Sequence, residues 1–188
     1  MKKLETENFN VIEKDGWEGI SPKTLSVIIL PFVTDEQGLP KILGVLDEVN
    51  PFRETGRCIS IISGKHDPED KDLLTTAMRE LKEEAGYEVS DISRWYYLGA
   101  INTAKYIDQE QPCFGVDVSG LIRQHPEGDG SIDEKIAKFS MIPVAEAIKS
   151  PDCYISFCFL RLFKFFMNID VQEVGDEFSL DKYRDKNF

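Results

Sequence analysis

The chain has 188 residues, of which 41% are hydrophobic and 30% are charged, and this composition indicates a globular protein with a sizeable core. Its 34 acidic and 22 basic side chains give a formal net charge of −12. A charge of this sign argues against a nucleic acid or an anionic membrane as partner. A polyanionic small molecule would need a cation to offset the acidity near its binding site.

The N-terminal sequence, the longest apolar run and the cysteine spacing together favour a cytoplasmic protein. The first ten residues carry two lysines but no apolar run, so no secretory signal is expected. The longest apolar run, residues 153–167, is too short to span a bilayer. The four cysteines form no CxxC pair and indicate buried, unpaired thiols in a reducing compartment.

The N-terminal third predicts three strands. Residues 1–22 are polar and are expected to form an arm or a short leading strand. This arm should pack through Phe9, Val11, Ile12 and Trp17. Residues 25–33 are a near-continuous run of branched apolar side chains, which predicts a strand buried on both faces. Residues 41–47 and 58–62 predict the next two strands.

A helix with marked ends follows. Asp67 is an expected N-cap, Pro68 suits the first helical position, and Asp70 makes the first turn acidic. Gly86 suits the left-handed residue that ends a helix. The apolar stripe of this helix consists of Leu74, Ala77, Met78, Leu81 and Ala85.

The adjoining face of the helix gathers three carboxylates. Glu80, Glu83 and Glu84 fall within an arc of about 100°, and Arg79 lies one turn before Glu83. Like charges this close repel each other unless a cation lies among them. Hard oxygen ligands suit Mg²⁺ or Mn²⁺. For such a helix taken alone, the alternative is an ordinary amphipathic helix with a solvated acidic face.

The remaining elements complete a mixed α/β pattern. Strands are predicted at residues 95–101, 112–118 and 138–142. A short helix is expected within 143–149, and Asp152 is expected to cap a last helix at 153–167. Strands with interspersed helices predict one domain over residues 1–188, a mixed sheet with helices on both sides, and an acidic tail at 170–188.

Residues 79–87 read R-E-L-K-E-E-A-G-Y, and after a strand and a glycine-containing loop they resemble the Nudix hydrolase box. That box runs G, five residues, E, seven residues and R-E-U-x-E-E-x-G-U, with U a bulky apolar residue. The order of elements is similar over about residues 24–168. The resemblance implies the α/β class with a Nudix-type α/β/α sandwich, in which a mixed β-sheet lies between helices.

The first half of the box fits only with a shift. Counting back from Arg79, the family glycine falls on Lys65 and the family glutamate on Lys71. Gly64 and Asp70 each lie one residue earlier, so a one-residue slip in the loop would restore both. Without that slip the loop lacks an acid that orders the box. A catalytically silent, nucleotide-sensing domain is then the alternative.

By resemblance, such domains hydrolyse a nucleoside diphosphate linked to another group, with Mg²⁺ or Mn²⁺ as cofactor. The resemblance implies Glu80 and Glu84 as metal ligands, Glu83 as a ligand or a base, and the backbone at Gly64 as a carbonyl ligand. Arg79 would serve catalysis by orienting the carboxylates.

A further acid from outside the box is also implied. Glu134 is preferred, because residues 132–142 resemble the segment of ADP-ribose pyrophosphatases in which an acid precedes a strand. Asp133 and Glu110 are the other candidates. Each of these acids has the alternative of being a solvent-exposed loop residue.

Length and order of elements resemble the ADP-ribose or nucleotide-sugar branch, and hydrolysis of nucleoside triphosphates is the alternative. Arg53, Arg57 and Lys105 are candidates for binding phosphate, and Tyr106, Trp17 and Phe52 for stacking on a base. Each has the alternative of a surface or packing residue. The apolar surface of the last helix exceeds one buried stripe, so it forms core or a homodimer contact.

Overall fold

The computed structural model describes residues 6–14, 16–49, 56–126 and 137–167. A hairpin of β1 (Phe9–Lys14) and β2 (Trp17–Pro22) precedes a seven-stranded sheet. That sheet contains β3 (Ser26–Thr34), β4 (Pro40–Val49), β5 (Arg57–Ser60), β6 (Ile62–Lys65), β7 (Trp95–Ile101), β8 (Gln111–Asp117) and β9 (Lys138–Pro143). The helices are α1 (Leu73–Glu80), continued by a π-helical turn (Leu81–Ala85), a 3₁₀ turn (Ile92–Arg94), α2 (Val144–Ala147) and α3 (Cys153–Phe166).

The sheet is mixed, as predicted. Its main path runs β5-β4-β3-β8-β7, with β6 beside β3 and β9 beside β4. Strands β3 and β8 are parallel, and the other pairs are antiparallel. One edge of β3 is shared, because β6 pairs with its first half and β4 with its end. The chain therefore leaves β6 near the start of β3 and enters α1 from there.

Strand β3 is buried on both faces, which confirms the prediction from its apolar run. Val27 and Ile29 pack in a core with α1, whereas Ile28, Leu30 and Phe32 pack in a second core with α3. Helices thus cover both faces of the sheet. The predicted α/β/α sandwich is confirmed.

Helix α1 begins later than predicted. Asp67 does not cap it: its side chain accepts a hydrogen bond from Glu69 N–H at 2.9 Å and forms a tight turn. The N-cap is Asp72, whose Oδ1 accepts from Thr75 N–H at 2.8 Å. Asp70 lies in the loop before the helix. The predicted cap was wrong because an aspartate followed by proline suits a turn as well as a helix start.

The buried stripe of α1 is also rotated from the prediction. Leu73 and Thr76 are buried, whereas Leu74 and Met78 are only partly buried. Glu80 lies on the inward side and is 8% exposed. The face of α1 that meets the sheet therefore includes Glu80, which packs against Gly64 of β6. Gly86 ends the helix with a φ of 74°, as predicted.

The predicted strand at 58–62 is two strands. Strand β5 pairs with β4 and β6 pairs with β3, so the chain changes neighbour at Ile61. Ile61 N–H donates to Asp152 Oδ2 at 3.0 Å. Asp152 also caps α3, because its Oδ1 accepts from Tyr154 N–H at 2.8 Å. The predicted cap of the last helix is confirmed.

The N-terminal arm is a hairpin, and its tryptophan packs at the surface rather than in the core. Trp17 is 57% exposed, and its ring packs at the surface beside Tyr106 and Lys105 in the loop after β7. The hairpin also contacts this loop through its backbone. Ile20 N–H donates to the Tyr106 carbonyl at 2.7 Å, and Asp108 N–H donates to the Ile20 carbonyl at 2.8 Å. The acidic tail lies outside the described residues.

Two further predictions concern the last helix and the thiols. Among the described helices, none is long and apolar enough to cross a bilayer. Cys113 and Cys158 are buried as expected, whereas Cys153 is exposed at the start of α3 and Cys58 is partly exposed. Cys153 was expected to be buried, but it lies on the outer side of the first turn of α3.

Two leucines of α3 provide a test of the second core. Leu162 is fully buried, whereas Leu160 is 62% exposed. We expect Leu162→Ala to lower the free energy of unfolding by about 2–5 kcal/mol, because it leaves a cavity between α3 and the sheet. Leu160→Ala should cost less than about 0.5 kcal/mol. Urea denaturation measures both, and equal losses would contradict the helix orientation.

Candidate active site

Strand β6 and helix α1 meet at Gly64 and Glu80. The Glu80 side chain lies directly against the Cα of Gly64, and a Cβ there would overlap the Glu80 carboxyl group. Position 64 therefore requires glycine for space. The missing side chain lets a buried carboxylate reach the backbone of β6.

Arg79 binds the acids around it. Its Nη1 donates to Glu80 Oε1 at 2.8 Å and to Glu83 Oε2 at 2.9 Å. Its Nη2 donates to Asp70 Oδ2 at 2.9 Å and to the Lys65 carbonyl at 2.9 Å. Nε completes a two-point contact with Asp70 at 3.3 Å. The hydrogen bond with Asp70 above all, and the charge of Glu80, raise the pKa of Arg79, so its guanidinium stays charged.

These contacts support the one-residue slip in the loop. Gly64 contacts Glu80 and Asp70 contacts Arg79, so the spacing of glycine, five residues and acid is kept. The extra residue lies between Asp70 and Arg79. Lys65 supplies only its carbonyl to Arg79, and its ammonium donates to Asn8 Oδ1 at 2.9 Å. The spacing from Gly64 to Asp70 was the available signal in the sequence.

Asp70 is held in its charged form. Its burial alone would raise its pKa, but hydrogen bonds from Arg79, from the Asp67 backbone and from Thr76 outweigh that effect. The pKa of Asp70 therefore lies below the ordinary value of 3.8.

Glu83 and Glu84 lie in the π-helical turn that follows α1. Such turns are rare and occur often at functional sites. Glu83 is bound by Arg79, as described. Glu84 has one buried carboxylate oxygen, Oε2. The turn thus carries two carboxylates on a locally widened helix end.

The donor set suits a hard divalent cation. The carboxylates of Glu80, Glu83 and Glu84 and the Gly64 carbonyl would be its oxygen ligands, and the space at Gly64 keeps Glu80 beside the strand. Across the described parts of the chain, no three acidic, imidazole or thiol groups already surround a common point for a metal. The positive charge between Glu80 and Glu83 belongs to Arg79. The residues present fit Mg²⁺ or Mn²⁺.

The other predicted residues are distributed differently. Arg57 is paired with Asp47, its Nε lying 2.9 Å from Asp47 Oδ1 on the solvent side of β4 and β5. Glu110 is exposed just before β8. Arg53 and Phe52, and the acids Asp133 and Glu134, lie outside the described residues.

An exposed aromatic pair lies at the hairpin. The rings of Trp17 and Tyr106 are 6.2 Å apart between centroids and inclined by 33°. Lys105 Nζ lies 4.1 Å from the Trp17 centroid. Tyr106 is 52% exposed, so this cluster presents aromatic faces and a cation to solvent.

Residues 22–162 match the family model of the NUDIX domain. The matched range covers most of the chain and includes Gly64, Asp70 and the whole of α1. The chain belongs to the Nudix family. It is thereby classed with the Nudix pyrophosphohydrolases, and the fold that the resemblance implied is confirmed.

Three solved structures are similar to this Nudix chain. A protein described as an ADP compounds hydrolase is 14% identical with a TM-score of 0.61, covering 89% of this chain and 91% of that one. The NUDIX domain of Shewanella oneidensis NrtR, solved with ADP ribose, is 15% identical with a TM-score of 0.53. The match covers 74% of this chain and 88% of that domain. A mutT/nudix family protein from Listeria innocua is 16% identical with a TM-score of 0.50. The match covers 78% of this chain and 96% of that protein. At these identities the likeness is one of fold, and a comparison with curated proteins gives no match.

Asp70→Asn tests the contact with Arg79. Because the pKa of Asp70 is lowered on folding, its contribution is present at neutral pH and is lost as the pH falls through the folded-state pKa. We expect the variant to lose about 1–3 kcal/mol of unfolding free energy at pH 7, and less at pH 3. Asp67→Asn is the matched control in the same loop. Urea denaturation at both pH values measures the free energy of unfolding. An equal difference in this free energy between the parent protein and Asp70→Asn at pH 7 and at pH 3 would contradict the assignment.

Proposed function

We propose that this Nudix chain is a divalent-metal-dependent hydrolase that cleaves the pyrophosphate of a nucleoside diphosphate linked to another group. ADP-ribose or a nucleotide sugar is the proposed substrate. One observation supports the proposal: Glu80 lies against Gly64, and Arg79 binds Asp70, Glu80 and Glu83, so that carboxylates are gathered at the end of α1.

Each residue of the site has a proposed role. Glu80 and Glu84 are metal ligands, Glu83 is a ligand or a base, and the Gly64 carbonyl is a further ligand. Arg79 positions Glu80 and Glu83 through Nη1, and Asp70 holds Arg79 from the opposite side. A bound Mg²⁺ or Mn²⁺ would neutralise charge on the pyrophosphate oxygens and acidify a water molecule.

A further acid completes the proposal. Glu134 would accept a proton from the attacking water, with Asp133 and Glu110 as the other candidates. For Glu134 and Asp133 this role is supported by the sequence alone. Arg79 does not serve as the base, because its guanidinium stays protonated.

Substrate class is supported by the solved relatives and by the hairpin. One relative is described as an ADP compounds hydrolase, and another was solved with ADP ribose. Trp17 and Tyr106 offer faces on which a nucleotide base could stack, and Lys105 offers a charge for phosphate. Arg53 is a further phosphate-binding candidate. Arg57 would need to share its charge with Asp47.

Lys65 and Lys71 favour a second candidate, a nucleotide-sensing domain without turnover, because the family pattern in strict register has glycine and glutamate there. Contacts of Gly64 and Asp70 favour hydrolysis over this candidate. A two-fold homodimer and a cytoplasmic location stay predictions.

Glu84→Gln tests the metal site. The substitution keeps the size of the side chain but removes its charge, so we expect kcat/KM to fall by about 100-fold or more. Glu88→Gln, at an exposed position just beyond the helix, should keep parental turnover. Circular dichroism should show that both variants are folded. Full turnover in a folded Glu84→Gln protein would refute the assignment.

A substrate panel separates the candidates. With Mg²⁺ or Mn²⁺ present, we expect ADP-ribose or a nucleotide sugar to release a nucleoside monophosphate, identified by mass. Inorganic pyrophosphate from nucleoside triphosphates would instead support the triphosphate alternative. Thermal stabilisation by ADP-ribose without any product, at millimolar Mn²⁺, would support the sensing domain.

A further inference from the structure

The end of the carboxylate-bearing helix is held by the loop after β8. Gly86 N–H donates to the Lys82 carbonyl at 3.0 Å, and the Gly86 carbonyl accepts from Gln124 N–H at 2.8 Å. Gly86 has a positive φ of 74°, and a Cβ there would overlap the Gln124 carbonyl oxygen. Only glycine fits this junction. The loop therefore approaches the helix end at backbone distance.

Arg123 extends this junction to the last residue of the π-helical turn. Its Nε donates to the Ala85 carbonyl at 2.8 Å. Its guanidinium carbon lies 4.9 Å from the centroid of Phe139. Phe139 is buried and packs edge-on against Tyr87, with centroids 6.0 Å apart. The cation is thus fixed on one side by an aromatic face and on the other by a helix carbonyl.

Elementary helix physics explains what this contact does. The last carbonyls of a helix lack partners within the helix, and a cation near them is favourable. Ala85 follows directly after Glu84 and is the last residue of the π-helical turn, which also contains Glu83. Holding this carbonyl restrains the backbone from which both carboxylates project.

We propose that Arg123 is a positioning residue for the metal site. It touches neither metal nor substrate: it fixes the π-helical turn through the Ala85 carbonyl, so that Glu83 and Glu84 are presented in one arrangement. This inference rests on the proposed function, because it assigns Glu83 and Glu84 to a metal. It adds a residue outside the box, 38 positions after Ala85.

Arg94 provides a matched control. Its Nη1 donates to the carbonyls of Asp117 and Ser119 at 3.1 and 3.0 Å. Arg94 thus ties a loop by the same chemistry, but the carbonyls that it binds belong to no residue of the carboxylate-bearing helix. If Arg123 had a purely structural role, substitution of Arg123 and substitution of Arg94 would have the same effect on metal affinity.

The experiment measures Mn²⁺ binding by electron paramagnetic resonance, which reports free Mn²⁺ without any turnover. We expect Arg123→Gln and Arg123→Ala to raise the Mn²⁺ dissociation constant by about 10-fold, as for the loss of other residues that orient metal ligands. Arg94→Gln should leave it unchanged. Arg123→Lys should recover most of the affinity, because an ammonium can bind the same carbonyl and lie over Phe139.

Urea denaturation without metal identifies the folded variants, and Arg123→Gln decides the question if Arg123→Ala does not fold. Parental Mn²⁺ affinity in folded Arg123→Gln, equal losses in Arg94→Gln, or absence of Mn²⁺ binding by the parent protein would each overturn the inference. A parent protein that binds Mn²⁺ but hydrolyses no nucleotide would refute the proposed function. Weaker Mn²⁺ binding in Arg123→Gln would still support the role of Arg123.

Discussion

The structure of the site depends on one guanidinium. Arg79 binds Asp70 with two nitrogens, and it divides Nη1 between Glu80 and Glu83. Without that cation, three carboxylates would stand close together in an acidic protein of net charge −12. The same group joins the helix to the end of β6, through the Lys65 carbonyl, and to the loop, through Asp70. Loop order and carboxylate placement therefore have a single electrostatic cause.

The sheet provides the fixed frame for this cation. Strand β6 occupies the first half of one edge of β3, which brings Gly64 opposite Val27 and beneath α1. Because position 64 has no side chain, Glu80 is buried at the strand although it is charged. A buried carboxylate requires a charged partner, and Arg79 is that partner. The glycine and the arginine thus act on the same residue from opposite sides.

Much of this was predictable from the sequence, and what was not has identifiable reasons. A near-continuous apolar run predicted β3, because this strand is buried on both faces, and nine residues of the box predicted the helix and its acids. The start of α1 was wrong because Asp67 and Asp72 are both good caps, and only the tertiary contact of Asp70 with Arg79 decides between them. Arg123 had no local signal, since its partner carbonyl is distant in the chain.

The two layers of helices are not mechanically independent. Asp152 caps α3 on one face of the sheet, and its second oxygen binds Ile61 N–H where the chain passes from β5 to β6. Ser150 Oγ donates to the Ile59 carbonyl at 2.6 Å in the same region. The strand that carries Gly64 is therefore clamped from the layer opposite the carboxylates. A substitution at Asp152 or Ser150 is therefore expected to disturb the strand beside the carboxylates, although both residues belong to the opposite layer.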